Sequence, residues 1–161
     1  MKIIFLDMDG VLCTNRAHVA QGLIDPENHG YMDALDREAV GMLNKLQEKH
    51  PDILYVLSST WRKLHPRAWM EQHLRKYNWK GEFHPDWKTD AEGIVRGEEI
   101  QRWLDAHRDV DTYVILDDDS DMLDKQNYHF VKTDSYNGIT AENYWHMERI
   151  FQNGNMAGNP S

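Results

Sequence analysis

The sequence has one cysteine, Cys13, in 161 residues. An internal disulfide is therefore impossible, and a reducing, cytoplasmic setting is the expectation. No apolar run approaches the roughly 20 residues needed to cross a bilayer. The chain enters an apolar strand at once, without the basic and apolar regions of a signal peptide. Bases are also scarce: 18 Lys and Arg stand against 27 Asp and Glu, for a net charge of −9. Proteins that coat or broadly capture nucleic acid are usually basic. That class is excluded, whereas an enzyme that handles a single strand end is not. No membrane association and no stable protein partner are expected.

What is present is ordinary for a water-exposed globular domain, with 40% hydrophobic and 28% charged residues. The length suits one domain, expected over 1–151, and the Gly/Asn-rich stretch 152–161 is expected to be a disordered tail. Three apolar runs have the unbroken character of strands buried on both faces of a parallel sheet: Ile3 to Leu6, Ile53 to Leu57 and Tyr113 to Leu116. Between them lie helical patterns. Asp36 is a plausible N-cap for a helix to Lys49 with Val40, Leu43 and Leu46 inward, and further helices are expected at about 66–77, around Ile100 and Trp103, and at about 140–151. The stretch 13–31 reads as a long irregular loop, with Gly22, Pro26 and Gly30 as breakers. Phe83 is expected in a short strand that turns at Pro85 and Asp86.

Each strong strand stops at chemistry. The first ends in Asp7-Met8-Asp9-Gly10-Val11, the second in Ser58-Ser59-Thr60-Trp61-Arg62, and the third in Asp117-Asp118-Asp119-Ser120-Asp121. Carboxylates just past a buried strand are costly to desolvate unless a cation or proton partner is present. A calcium loop would carry further oxygen ligands where Leu12 and Cys13 stand. A right-handed strand–helix–strand connection makes the first two strands parallel, so their carboxyl ends share the sheet edge where ligands bind in open α/β folds. Asp119 and Asp121 are expected to face solvent or cap a helix. Trp61, Trp69 and Tyr77 are read as core or rim packing.

The Asp-x-Asp-Gly-Val stretch resembles motif I of the haloacid dehalogenase (HAD) superfamily of phosphotransferases. Ser58 resembles the hydroxyl residue of its motif II, and Asp117-Asp118 resembles motif IV. Arg96, which sits poorly at the positive end of a helix, resembles the basic residue of motif III, with Lys88 as the competitor. The Ser-Ser-Thr-Trp-Arg, Arg-Gly-Glu-Glu-Ile-x-x-Trp-Leu and Val-Ile-Leu-Asp-Asp-Asp segments look like the compact HAD domains of phages and RNA-repair proteins. Those are similar to the phosphatase half of polynucleotide kinase-phosphatases.

The resemblance implies a three-layer, Rossmann-like α/β fold with a central parallel sheet and no large cap domain. It implies a Mg²⁺-dependent phosphomonoester hydrolase with Asp7 as nucleophile, forming an aspartyl phosphate, and Asp9 as acid and base. Ser58 and Arg96 would hold the phosphoryl oxygens. Asp7, the Asp9 backbone carbonyl, Asp117 and Asp118 would hold the metal. Arg16, Ser59 and Arg62 are the candidate substrate contacts, Arg62 because its planar fork suits phosphate. With no cap the site should be open, which favours a terminal phosphate on nucleic acid, a 3′-phosphate first. Alternatives are a phosphatase of free nucleotides or other small phosphomonoesters, a nucleotide gripped by the 13–31 loop, and a non-catalytic binding domain on the same scaffold. A receiver domain is disfavoured by the order of the acids. If the chain is phage-encoded, the host cytoplasm is the implied location.

Overall fold

A computed structural model describes residues 1–22 and 33–154. Five parallel strands form one sheet in the order β3-β2-β1-β4-β5: β1 is Lys2–Leu6, β2 Ile53–Leu57, β3 Phe83–Lys88, β4 Thr112–Asp117 and β5 Phe130–Lys132. The most completely buried strand takes the centre. All five residues of β1 are buried, and each large apolar side chain so placed stabilises the fold by about 1.5–3 kcal/mol. The register pairs Leu6 with both Leu57 and Leu116. One row further on, Asp7, Ser58 and Asp117 therefore stand side by side at the carboxyl edge.

Helices cover both faces: α1 is Asn15–Ala20, α2 Arg37–Lys49, α3 Trp61–Leu64, α4 Arg67–Lys76, α5 Arg96–Ala106 and α6 Ala141–Gly154. One face holds the larger apolar cluster, with Leu43 and Leu46 of α2, Met70 and Leu74 of α4, and Ile150 and Phe151 of α6. The other is filled by Phe5, Ile100, Trp103 and Ile115. The expected three-layer α/β arrangement is therefore present, and among the described residues no cap domain is inserted. No helix there is long and apolar enough to cross a membrane.

Three local expectations are corrected. The start of the 13–31 stretch is helical, because Thr14 Oγ1 accepts the Ala17 N–H at 3.1 Å and Ala17 and His18 turn inward. The part at 23–32, with Pro26 and Gly30, lies outside the described residues, as does 155–161. Pro85 does not turn the chain but sits within β3, the sheet's edge strand, where a missing N–H is tolerated. Residues Gln152 to Gly154 continue α6 rather than opening a tail, and Gln152 Nε2 donates to Glu148 Oε1 at 2.7 Å. At the start of α6, Thr140 and Asn143 form a reciprocal cap, each side chain accepting the other's backbone N–H, at 3.2 and 2.9 Å.

Candidate active site

The site is assembled where β1, β2 and β4 end. Asp7, Asp117 and Asp118 bring carboxylate oxygens within 4.8 Å of one another. Asp7 and Asp117 are buried. Burial first, and then the Asp117 charge, push the Asp7 carboxyl up to about 9. Asp117 is pushed up to about 6, mainly by burial, although the Asp119 N–H it accepts at 2.9 Å opposes the change. Like charges this close cannot all ionise without a counter-charge. Arg96 supplies part of it, favouring the ionised form of both groups.

Gly10 is the hinge of this arrangement. Its φ is +78°, and a Cβ there would lie 2.1 Å from Asp118 Oδ2. A side chain at this position would drive Asp118 out of the cluster. The same turn is tied down by Thr133 Oγ1, which donates to the Gly10 carbonyl at 2.7 Å.

At the same edge, where Ser58 stands beside Asp7 by register and Arg96 is close enough to act on Asp7 and Asp117, two donors lack hydrogen-bond partners among the described residues, Ser58 Oγ and Arg96 Nη1, both buried. A buried donor left unmatched costs about 1–3 kcal/mol, and two of them stand at the edge that also holds the three carboxyl groups. Arg96 is held by its surroundings: its backbone N–H donates to Asp121 Oδ2 at 2.9 Å, and its Nε lies 3.6 Å from Glu99 Oε2. Asp121 is thus the helix-capping acid expected from the acidic run. Lys88 is exposed, with its ammonium 5.2 Å over the Trp87 ring. Of the two competing bases, Arg96 is the one that acts on Asp7.

Asp9 is exposed, and Trp61 Nε1 donates to its Oδ1 at 3.1 Å. Its carboxylate is not part of the three-acid group. Ser59 Oγ accepts the Trp61 N–H at 3.2 Å and so starts α3. Arg16 lies further out, with Nε and Nη2 on Asp36 Oδ2 at 2.8 and 2.6 Å.

Arg62 differs most from its expected place. It is buried, with Nε on the Thr89 carbonyl, Nη1 on those of Ser58 and Ser59, and Nη2 on the Asp90 carbonyl and Glu99 Oε2, at 2.5–3.2 Å. A guanidinium has five N–H donors, and all five are engaged. Arg62 therefore clamps the loop carrying Ser58 and, through the shared Glu99, steadies Arg96. Glu99 is an acid in the first turn of α5, and nothing in the sequence marked its bridging place between the two arginines. Thr133, which follows a three-residue edge strand, carried no signal.

Buried acids after two adjacent parallel strands, faced by a hydroxyl and a base on the same edge, are the layout of HAD-type phosphatases, and that is the class of this enzyme. More narrowly, the family model for the HAD domain in Swiss Army Knife RNA repair proteins matches residues 3–144, and the chain belongs to that family. No curated protein and no solved structure matches it.

Proposed function

We propose that this chain removes a terminal phosphate from a nucleic-acid strand, an RNA end with a 3′-phosphate first, using Asp7 as nucleophile and Mg²⁺ as cofactor. The observation that carries the chemistry is the pair of unmatched donors, Ser58 Oγ and Arg96 Nη1, at the same edge as the three carboxylates. Membership in a family described from RNA repair proteins supports the choice of substrate.

Ser58 and Arg96 hold two phosphoryl oxygens and aim phosphorus at Asp7. Asp7 attacks in line, and the bond to the leaving oxygen breaks as Asp9 gives that oxygen its proton. The aspartyl phosphate is then opened by water, whose proton Asp9 takes, so that inorganic phosphate leaves and Asp7 returns as a carboxylate. The all-oxygen donor set of Asp7, Asp117 and Asp118, with the Asp9 carbonyl, fits a hard divalent ion. When bound, such an ion neutralises the acids and the phosphate, which keeps Asp7 ionised.

The test compares Mg²⁺-dependent phosphate release from a 3′-phosphorylated RNA oligonucleotide, its 5′-phosphorylated counterpart and the 3′-mononucleotide at one salt concentration. The oligonucleotide 3′-phosphate is expected to give the highest kcat/KM. Equal or better turnover of the mononucleotide would replace the strand-end reading with that of a nucleotide phosphatase. Metal-independent release, or release by Asp7→Asn at the native rate, would overturn the mechanism.

A further inference from the structure

Trp61 opens α3 immediately after the loop that carries Ser58. It is only 6% exposed, yet its indole N–H is not spent on the core. It reaches across from β2 to the loop after β1 and donates to Asp9 Oδ1 at 3.1 Å. An indole has this one donor and no acceptor.

The indole is itself held by a row of rings spaced four residues apart. Trp61 lies 5.9 Å from His65, 6.2 Å from Trp69 and 5.9 Å from His73. Trp69 stacks on both histidines, at 3.6 Å and 4.7 Å with interplanar angles of 11° and 18°. His73 Nε2 is in turn 2.6 Å from the Asp33 carbonyl. The donor therefore points from a rigid frame. Its acceptor is the opposite kind of group, an exposed carboxylate on a loop. The buried Cys13 thiol also bonds this carboxylate.

We propose that Trp61 is the positioning residue of Asp9: its N–H holds Oδ1 so that the carboxyl group faces the leaving oxygen, and later the water. The inference rests on the reading of Asp9 as acid and base. Trp61 takes part in no bond change and transfers no proton; it orients the group that does.

The experiment is a double-mutant cycle on the full chain with a 3′-phosphorylated oligonucleotide. Trp61→Phe keeps a ring in the row and removes the N–H. It is expected to lower kcat about tenfold, a fraction of the 10²–10⁴ that general acid–base catalysis supplies, with KM within about twofold. In an Asp9→Asn background the same change is expected to lower kcat by less than about twofold, because the group it orients is already disabled. A tenfold loss in both backgrounds, or native kcat in Trp61→Phe, would overturn the proposal while leaving the acid–base reading intact. Native activity in Asp9→Asn would remove both. Should Trp61→Phe fold poorly, 3-benzothienylalanine at position 61 keeps the bicyclic shape and replaces N–H with sulfur, and the same two outcomes decide.

Discussion

The two edges of the sheet treat charge in opposite ways. At the amino edge, Lys2 lies 3.3 Å from Asp52 and 3.2 Å from His50 Nδ1, and His50 Nε2 is 2.9 Å from Glu148. The terminal ammonium pairs with Asp111. At the carboxyl edge, one residue past the end of the same strand, Asp7 faces Asp117 and Asp118. At one edge acids are paired with bases as folded, whereas at the other three carboxyl groups crowd together, with Arg96 supplying part of the counter-charge. Sites that break local rules of charge pairing are where function is expected. Arg62 and Glu99 sharpen the contrast, because they sit at the carboxyl edge but are built like the amino one, with every Arg62 donor matched.

The largest expected effect breaks the comparison at its centre. Asp7→Asn removes the proposed nucleophile and one of the three crowded carboxyl groups together. Phosphate release should fall by about a thousandfold or more, while the metal-free melting temperature rises. A variant that loses activity and stability together would mean that the acids are not in conflict.

Arg62→Ala tests whether a charge at the functional edge is structural. Removing one partner of a buried pair costs about 3–5 kcal/mol, read as a lower denaturant midpoint. Arg62→Lys should not rescue it, since an ammonium cannot span five acceptors. If stability holds and only KM for oligonucleotides rises, Arg62 is a substrate contact.

Glu148→Ala is the matching change at the amino edge. It leaves His50 and Gln152 without their shared acceptor and should cost about 2–3 kcal/mol, with kcat/KM unchanged. A fall in kcat/KM at a temperature where the variant is fully folded would show that the two edges are coupled.

The smallest effect concerns pH. The native carboxyls of Asp7 and Asp117, at about 9 and about 6, lie above the ordinary 3.8. The metal-free folded chain therefore holds protons that the unfolded chain has released. This contribution to stability is complete below about pH 3.8 and is lost as pH rises through about 6 and then about 9. Mg²⁺ should raise the melting temperature by a few degrees, and by more at pH 8 than at pH 6. A shift that shrinks with rising pH would contradict the crowded-acid description.

Several of these features could be read before any fold was known. Ile3 to Leu6, Ile53 to Leu57 and Tyr113 to Leu116 announce buried parallel strands because both faces are covered and no alternation remains. Parallel strands share one carboxyl edge, so Asp7, Ser58 and Asp117 had to meet there. The helix at Arg37–Lys49 was legible from its cap and stripe. The short α1 was not, because six residues are too few to show a period, and Pro85 misled because an edge strand is not marked as such by its own residues.

The sequence by itself determined the α/β class and the row of acids and hydroxyl at the sheet edge, since these depend only on local periodicity and on where apolar runs stop. Only the tertiary structure decided between the arginines. Arg62 and Arg96 are both basic residues near strand ends, and the sequence offered both as phosphate contacts. Their roles diverge because α5 places Glu99 between them, within 2.9 Å of one and 3.6 Å of the other. The clamp loop then takes all of Arg62's donors and leaves Arg96 Nη1 unmatched. Trp61 was legible as packing, but the Asp9 partner of its single N–H was not, because that partner is chosen by whichever distant loop packs against it.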